Sequence, residues 1–253
     1  MLDFWRLFTI DQYAPLDPSY GFGIFSPAHL GVLAGLALGT AILVYSYRRM
    51  NSSNRKRTRL IVGWTALMLE VVRQIVYVAL GVYSVEILPL HLCAVTTFFV
   101  WLDSVRPNRW SQSFLYSLGS WGALAALLFP DWANRPLLNI FSMQSFLIHA
   151  LLVAYILMRL VAKEMVPNWR DLWRVLVVLA VIIPISMWLN ASYGTNFWFL
   201  NAGAPGSPLE PIQSFAGDYY IPFLFFLVLC LWVIMYLPWE LAGNKKRIVA
   251  ELV

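Results

Sequence analysis

Charge is what this sequence has least of. Charged residues make up 12% of the 253-residue chain, against 60% hydrophobic residues and a mean hydropathy of +0.67. That shortage excludes a soluble globular domain and a disordered linker alike. Cysteine is scarcer still, with Cys93 and Cys230 the two examples, expected at different depths on different helices. A disulfide scaffold is excluded on both counts, and a buried inert thiol is the plain reading of Cys230. There is no P-loop, no glycine fingerprint after a strand and no G-x-S-x-G elbow, so nucleotide-driven and serine-hydrolase chemistry have no support. No soluble insertion reaches domain size, which leaves residues 1–253 as a single domain.

Long apolar runs are what the chain does have. Seven stretches suit a hydrocarbon core that needs roughly 17 to 25 apolar residues per helix: 27–47, 60–83, 88–102, 113–129, 141–161, 172–189 and 219–237. Barrel strands do not fit runs of this length, and a helix satisfies its own backbone in lipid, so the expected fold is an all-α polytopic membrane protein of seven transmembrane helices. Apart from Arg6, Arg73 and Arg135, every Lys and Arg falls at or between the ends of spans 1 and 2, 3 and 4, or 5 and 6, or after span 7. The positive-inside rule makes those segments cytoplasmic, with the N-terminus outside and the C-terminus inside. The net charge of +5 is then a topology signal and gives no reason to expect a nucleic-acid partner. Residues 1–24, broken by Asp3, Arg6, Asp11, Pro15 and Asp17, do not read as a signal peptide. They are expected to lie in the interface, with Trp5, Phe8, Tyr13 and Tyr20 at headgroup level. Residues 190–217 are expected to form a long outside loop without helical period, a lid or a packed cap.

Ionisable groups inside spans are costly, which makes them functional candidates. His29, His91 and His149 each sit on a helix descending from the outside. By rise per residue, His91 and Cys93 lie roughly 5 to 10 Å below the outer boundary and His149 roughly 12 Å below it. Glu70, Arg73, Gln74, Gln144, Ser145, Asn190 and Tyr193 reach the same slab. A cysteine nucleophile needs a base. On one helix His91 and Cys93 would point about 200° apart, so His149 is the better partner for Cys93. Pro89 suits a first helical turn, which would put Cys93 by the positive end of the macrodipole, where thiolate is favoured. The alternative is a set of satisfied polar residues in a helix bundle. Glu70 and Arg73, at i and i+3, either neutralise each other or act together, Arg73 on a lipid phosphate or carboxylate and Glu70 orienting a histidine. Three histidines at one depth also raise an intramembrane zinc hydrolase.

Three segments carry a family resemblance: LPLHLC at 88–93, the histidine of SFLIHA at 145–150, and YGTNFWFLN at 193–201 with the Pro-rich stretch after it. Together, over most of the chain, they resemble the YwaF-like family of bacterial integral membrane proteins, which is related to an animal membrane acyltransferase, transmembrane protein 164. More distantly the fold resembles the androgen-induced family of intramembrane hydrolases, which use a threonine and a histidine on fatty-acid esters. The resemblance implies a cysteine-dependent transfer of a fatty acyl chain between a phospholipid and a lysophospholipid, with Cys93 as nucleophile and His149 as base. It implies no cofactor, a bacterial plasma-membrane location and a site toward the outer leaflet. The expected function is therefore a lipid acyltransferase or acyl hydrolase working through an acyl-thioester. His91, Asn190 or Tyr193 are candidate oxyanion donors, and Glu70 with Arg73 would position His149 or the headgroup. A non-catalytic carrier or binding protein is the alternative, although only Pro184 interrupts a span as a transporter would require.

Overall fold

The computed structural model describes residues 4–10 and 15–251, and every regular element among them is helical. Tyr13 and the side chains of Lys245, Lys246 and Arg247 lie outside the described residues. A short helix, α1 (Phe4–Thr9), leads into α2 (Pro27–Arg49) and α3 (Ser52–Ala79). Then come α4 (Leu92–Val105), α5 (Arg109–Phe114), a π turn at Leu115–Gly119 and α6 (Ser120–Leu128). The chain closes with α7 (Ile140–Val161), α8 (Leu172–Tyr193), α9 (Leu209–Ala216) and α10 (Tyr220–Glu251). Side-chain caps set several starts: Ser26, Asn51, Asn108 and Asn139 each accept a first-turn N–H.

Among the described residues, six stretches are long and apolar enough to cross a membrane: Pro27–Arg49, Ser52–Ala79, Val85–Val105, Ile140–Val161, Trp169–Tyr193 and Leu209–Leu241. The expected fourth span differs from them. It is one continuous helical run through α5, the π turn and α6, but it carries Arg109, Gln112 and four serines, and Ser113 through Gly119 are all buried. The other helices wall its middle, where polar residues sit, while Trp121 and Leu124 in its second half are exposed. The π turn itself has a use. Ser117 lends its carbonyl to the Trp232 indole at 3.1 Å, while its hydroxyl meets the Tyr236 hydroxyl at 2.8 Å. Those bonds tie α10 to the middle of the bundle.

The helix α7 is the core around which the others pack. More than half of its apolar window is buried, and it touches α2, α3, α4 and α6. Close approach is set by glycine where α3 meets α4, since a Cβ on Gly63 would fall 2.2 Å from the Ser104 hydroxyl. Two expectations need correction. Residues 209–216, read as part of a loop without helical period, form α9, because LEPIQSFA puts Leu209, Ile212 and Gln213 on one packed face. Pro89 is not in the first turn of α4, which starts at Leu92 after the turn that Pro89 opens.

The basic ends of the helices are locked by a buried ion network that includes Asp103, at 0% exposure, and Arg159, at 2%. The Asp103 carboxylate accepts from Ser111 (2.9 Å), Tyr155 (2.7 Å) and Arg159 (2.5 Å). Glu164 then joins Arg159 (3.2 Å) to the Tyr47 hydroxyl (2.7 Å) and to Arg55 and Arg59. The lock spans α2, α3, α4, α5 and α7, and every charge in it has a counter-charge. Arg159→Met strands the Asp103 carboxylate and should cost roughly 3 to 5 kcal/mol. The double variant Asp103→Leu/Arg159→Met should recover most of that in thermal unfolding of the purified protein. No recovery would mean that packing, and not charge, sets the loss.

Candidate functional site

The polar layer near the start of α4 is built around one ion pair. Arg73 donates through Nε to Glu70 Oε2 (3.0 Å) and through Nη2 to Glu70 Oε1 (2.7 Å), and Gln74 adds a bond to the same carboxylate at 2.8 Å. Positions i, i+3 and i+4 on α3 put all three side chains on one face. Gln74 also donates to the Ile87 carbonyl at 3.0 Å, which ties α3 to the segment that delivers Cys93. The Arg73 guanidinium then interacts electrostatically with Cys93, His91, His149 and Asp131. One cation thus acts on the thiol, on both imidazoles and on the Asp131 carboxyl.

Cys93 is the second residue of α4 and is partly accessible. The Ala94 backbone N–H lies against its sulfur, so a free donor of the first turn faces the thiol. His149, on α7, is 4% exposed and stacks on Trp132, with ring centroids 5.3 Å apart and planes at 21°. Its Nδ1 sits 2.7 Å from the Ser145 carbonyl. A carbonyl accepts only, so Nδ1 carries the proton and Nε2 the lone pair, the tautomer of a base. Glu70 does not orient this histidine: its oxygens are occupied by Arg73 and Gln74, and the orienting acceptor is one turn below His149 on its own helix.

His91 is the N-cap of α4, in extended conformation with φ −60° and ψ 152°. It stands outside the helix, so the angular separation expected for i and i+2 on a helix does not apply. Its ring lies 4.8 Å from that of Phe197 and 6.4 Å from that of Phe199. Both belong to a strap, residues 195–208, that crosses the start of α4. Trp198 pins the strap by donating to the Leu90 carbonyl at 2.8 Å, and the Asn196 N–H reaches Glu86 at 3.2 Å. Asn190 is buried at 2% and makes three bonds to the strap: Nδ2 donates to the Phe197 carbonyl, and Oδ1 accepts from the Phe197 N–H and the Thr195 hydroxyl. It holds the strap, with one Nδ2 hydrogen in that clamp. Tyr193 is 58% exposed with its ring against Trp188, 6.4 Å between centroids, on the outside of α8.

His29 turns out to be a strut. Its Nδ1 accepts from the Phe25 N–H at 3.0 Å and its Nε2 donates to the Leu127 carbonyl at 2.9 Å, so both nitrogens are used in tying α2 to the end of α6. Among the described residues no three His, Cys, Asp or Glu side chains are placed to hold a metal. The three-histidine zinc arrangement therefore fails on geometry. Sequence reasoning missed Asp131, which lies in the 129–139 connection and interacts with both Cys93 and Arg73. Its side chain reaches the surface. Crowding pushes its carboxyl up to about 6, while its own backbone N–H and Arg73 pull the other way. A carboxylate just past the Pro130 turn was the available signal.

With this geometry in place, the chain belongs to the TMEM164 family, whose family model matches residues 24–236. No curated protein and no solved structure matches the chain. The matched range contains α2 to α8, the strap, α9 and most of α10, and so every residue of the site.

Two predictions follow from these contacts. A raised Asp131 means that the folded protein binds more protons than the unfolded chain between about pH 4 and 6. This group's contribution therefore falls as pH rises through that window and is flat above it. Asp131→Asn should flatten the corresponding slope in unfolding curves taken across those pH values. Separately, Asn190→Ala removes three buried bonds to the strap, and proteolysis within 195–208 should speed up about tenfold while the helices keep their protection.

Proposed function

We propose that this member of the TMEM164 family is a seven-span lipid acyltransferase or acyl hydrolase that works through an acyl-thioester on Cys93. The run 109–128 supplies the seventh crossing. Its six, five and nine helical residues, at about 1.5 Å each, match a hydrocarbon core roughly 30 Å thick. Seven crossings with the basic ends cytoplasmic place the start of α4, the strap and the 129–139 connection at the outer leaflet. A lipid approaching sideways would keep its chains in hydrocarbon and bring its ester to the depth of Cys93.

In the first half-reaction His149 Nε2 takes the thiol proton, sulfur attacks the ester carbonyl, and the leaving alkoxide recovers that proton. In the second, the hydroxyl of a lysolipid or water attacks the thioester, and His149 passes its proton to the departing sulfur. Arg73 faces the place where negative charge develops, with Nη1 the nitrogen that Glu70 does not hold. The observation that carries the reading is the His149 tautomer beside Arg73. A partly accessible thiol, a histidine with Nε2 free as base and a single anchored cation form one electrostatic unit.

The test is intact-protein mass spectrometry after incubation with phospholipid vesicles. Wild type should gain a fatty-acyl mass that Cys93→Ala abolishes and that His149→Ala slows at least a hundredfold. An adduct on Cys230, or one indifferent to His149, would remove the dyad.

A further inference from the structure

A cleft at the basic end of the bundle is lined by groups that no step of the chemistry above uses. It opens between the start of α5, the 162–171 connection and α10, and holds about 200 Å³, counting the solvent at its mouth. A pocket for a whole small molecule runs from roughly 300 Å³ upward, so this cleft has room for one polar group of a ligand. Its floor is apolar. Met165 is 1% exposed, and the Tyr116 and Tyr236 rings meet edge to face, 5.1 Å between centroids. Both tyrosine hydroxyls are engaged inside the bundle, on the Met235 carbonyl and on Ser117. Its rim is polar, with Arg109, Gln112, Asn168 and Asp171.

The rim carries more positive than negative charge. Asp171 serves two guanidinium groups: Arg174 bonds its Oδ1 directly, while Arg109 Nη1 stands 3.6 Å from Oδ2. The Arg109 side chain is 57% exposed, and its one hydrogen bond is a long one, 3.3 Å from Nη1 to the Val166 carbonyl. An exposed, long ion pair holds an arginine weakly, so Nε and Nη2 of Arg109 are free to meet a ligand. Among the described residues the Gln112 side chain and Asn168 Nδ2 have no partner either. Two cations against one carboxylate leave one excess positive charge, which favours an anion. A guanidinium and two amide N–H groups suit a group that only accepts hydrogen bonds, a phosphate or a carboxylate.

The surroundings decide between the two. Trp110, Trp169 and Trp173 are 39%, 48% and 50% exposed beside the cleft, and the Trp110 and Trp173 rings meet at 5.2 Å. Exposed tryptophans at the ends of apolar helices mark headgroup level, where the abundant anion is a phosphodiester. We propose that this cleft is a phosphate-binding site, in which Arg109 takes the anion and Gln112 and Asn168 orient it. A phosphodiester brings one negative charge to the one excess positive charge. The phosphate comes from a phospholipid headgroup or from solution, and the two sources give different results in the test. The cleft lies at the opposite end of the bundle from Cys93, so it stands or falls independently of the thioester reading.

The purified full chain in a maltoside detergent is titrated with phosphatidylglycerol, with lipid adducts counted by native mass spectrometry. Inorganic phosphate is titrated in parallel and followed by the shift in thermal unfolding. Wild type should hold a first phosphatidylglycerol more tightly than any later one. Gln112→Leu, which breaks no side-chain bond of the structure, should weaken that first binding about threefold, and Arg109→Gln about tenfold. Arg48→Gln/Arg49→Gln, on the basic turn between α2 and α3, should leave it unchanged. A tight first lipid without a phosphate shift assigns the cleft to a lipid headgroup. A stabilising phosphate shift that Arg109→Gln and Gln112→Leu reduce assigns it to free phosphate. Neither a tight first lipid nor a phosphate shift overturns the proposal, and so does a first lipid held equally well by folded Arg109→Gln and Gln112→Leu. A loss in Arg48→Gln/Arg49→Gln as large as in Arg109→Gln also overturns it, because the binding then belongs to the basic surface at large.

Discussion

The pairing of Arg73 with Glu70 is the interaction on which the site depends. Neither charge is tolerable alone in the hydrocarbon layer, and at three residues' separation on α3 they meet with two bonds and almost no side-chain freedom to lose. A bare ion pair would be inert. This one is recruited into the neighbouring chain by Gln74, which holds the Glu70 carboxylate with one hydrogen and the Ile87 carbonyl with the other. The start of α4 is thereby fixed relative to α3, and Cys93 is delivered to the guanidinium. Neutralisation and positioning are the same act here.

A second lock, at the basic end, ties α4 to α7, while the first ties α3 to the segment before α4. Asp103 and Arg159 lie at the basic ends of α4 and α7, the two helices whose other halves carry Cys93 and His149. Their bond fixes the axial register between those helices, and register decides whether two groups on different helices share a depth. Among the described residues the Asp103–Arg159 pair joins two helices directly, and the Glu70–Arg73 pair joins two through Gln74.

Apolar runs were readable from the sequence, because lipid demands them. The helix 109–128 illustrates the limit: its serines and Gln112 lower its hydropathy, while Ser113 to Gly119 are buried by the protein itself. The end of α3 and the start of α4 moved by several residues from their expected places for a related reason. Where an apolar run meets the interface, capping and turn geometry set the boundary: α4 waits for the turn through Pro89 and Leu90 to finish. Of the candidate site, the residue types and their common depth were visible in advance. The bonds were not. Nothing in the spacing distinguishes His29, with both nitrogens engaged, from His91, with one left open, because the distinction lies in backbone carbonyls and N–H groups that the fold brings near.

The strap shows why depth alone misassigns roles. Asn190 and Tyr193 sit at the same level, yet one is consumed in holding Phe197 and the other faces outward beside Trp188. A buried amide with three bonds to two strap residues is costly to move, because each bond would be abandoned inside the protein. The strap is held in its strained conformation by the Asn190 bonds to Phe197 and by the bond of Trp198, one of the strained residues, to the Leu90 carbonyl. The aromatic wall beside His91 is therefore fixed in shape by the same bonds that hold the strap.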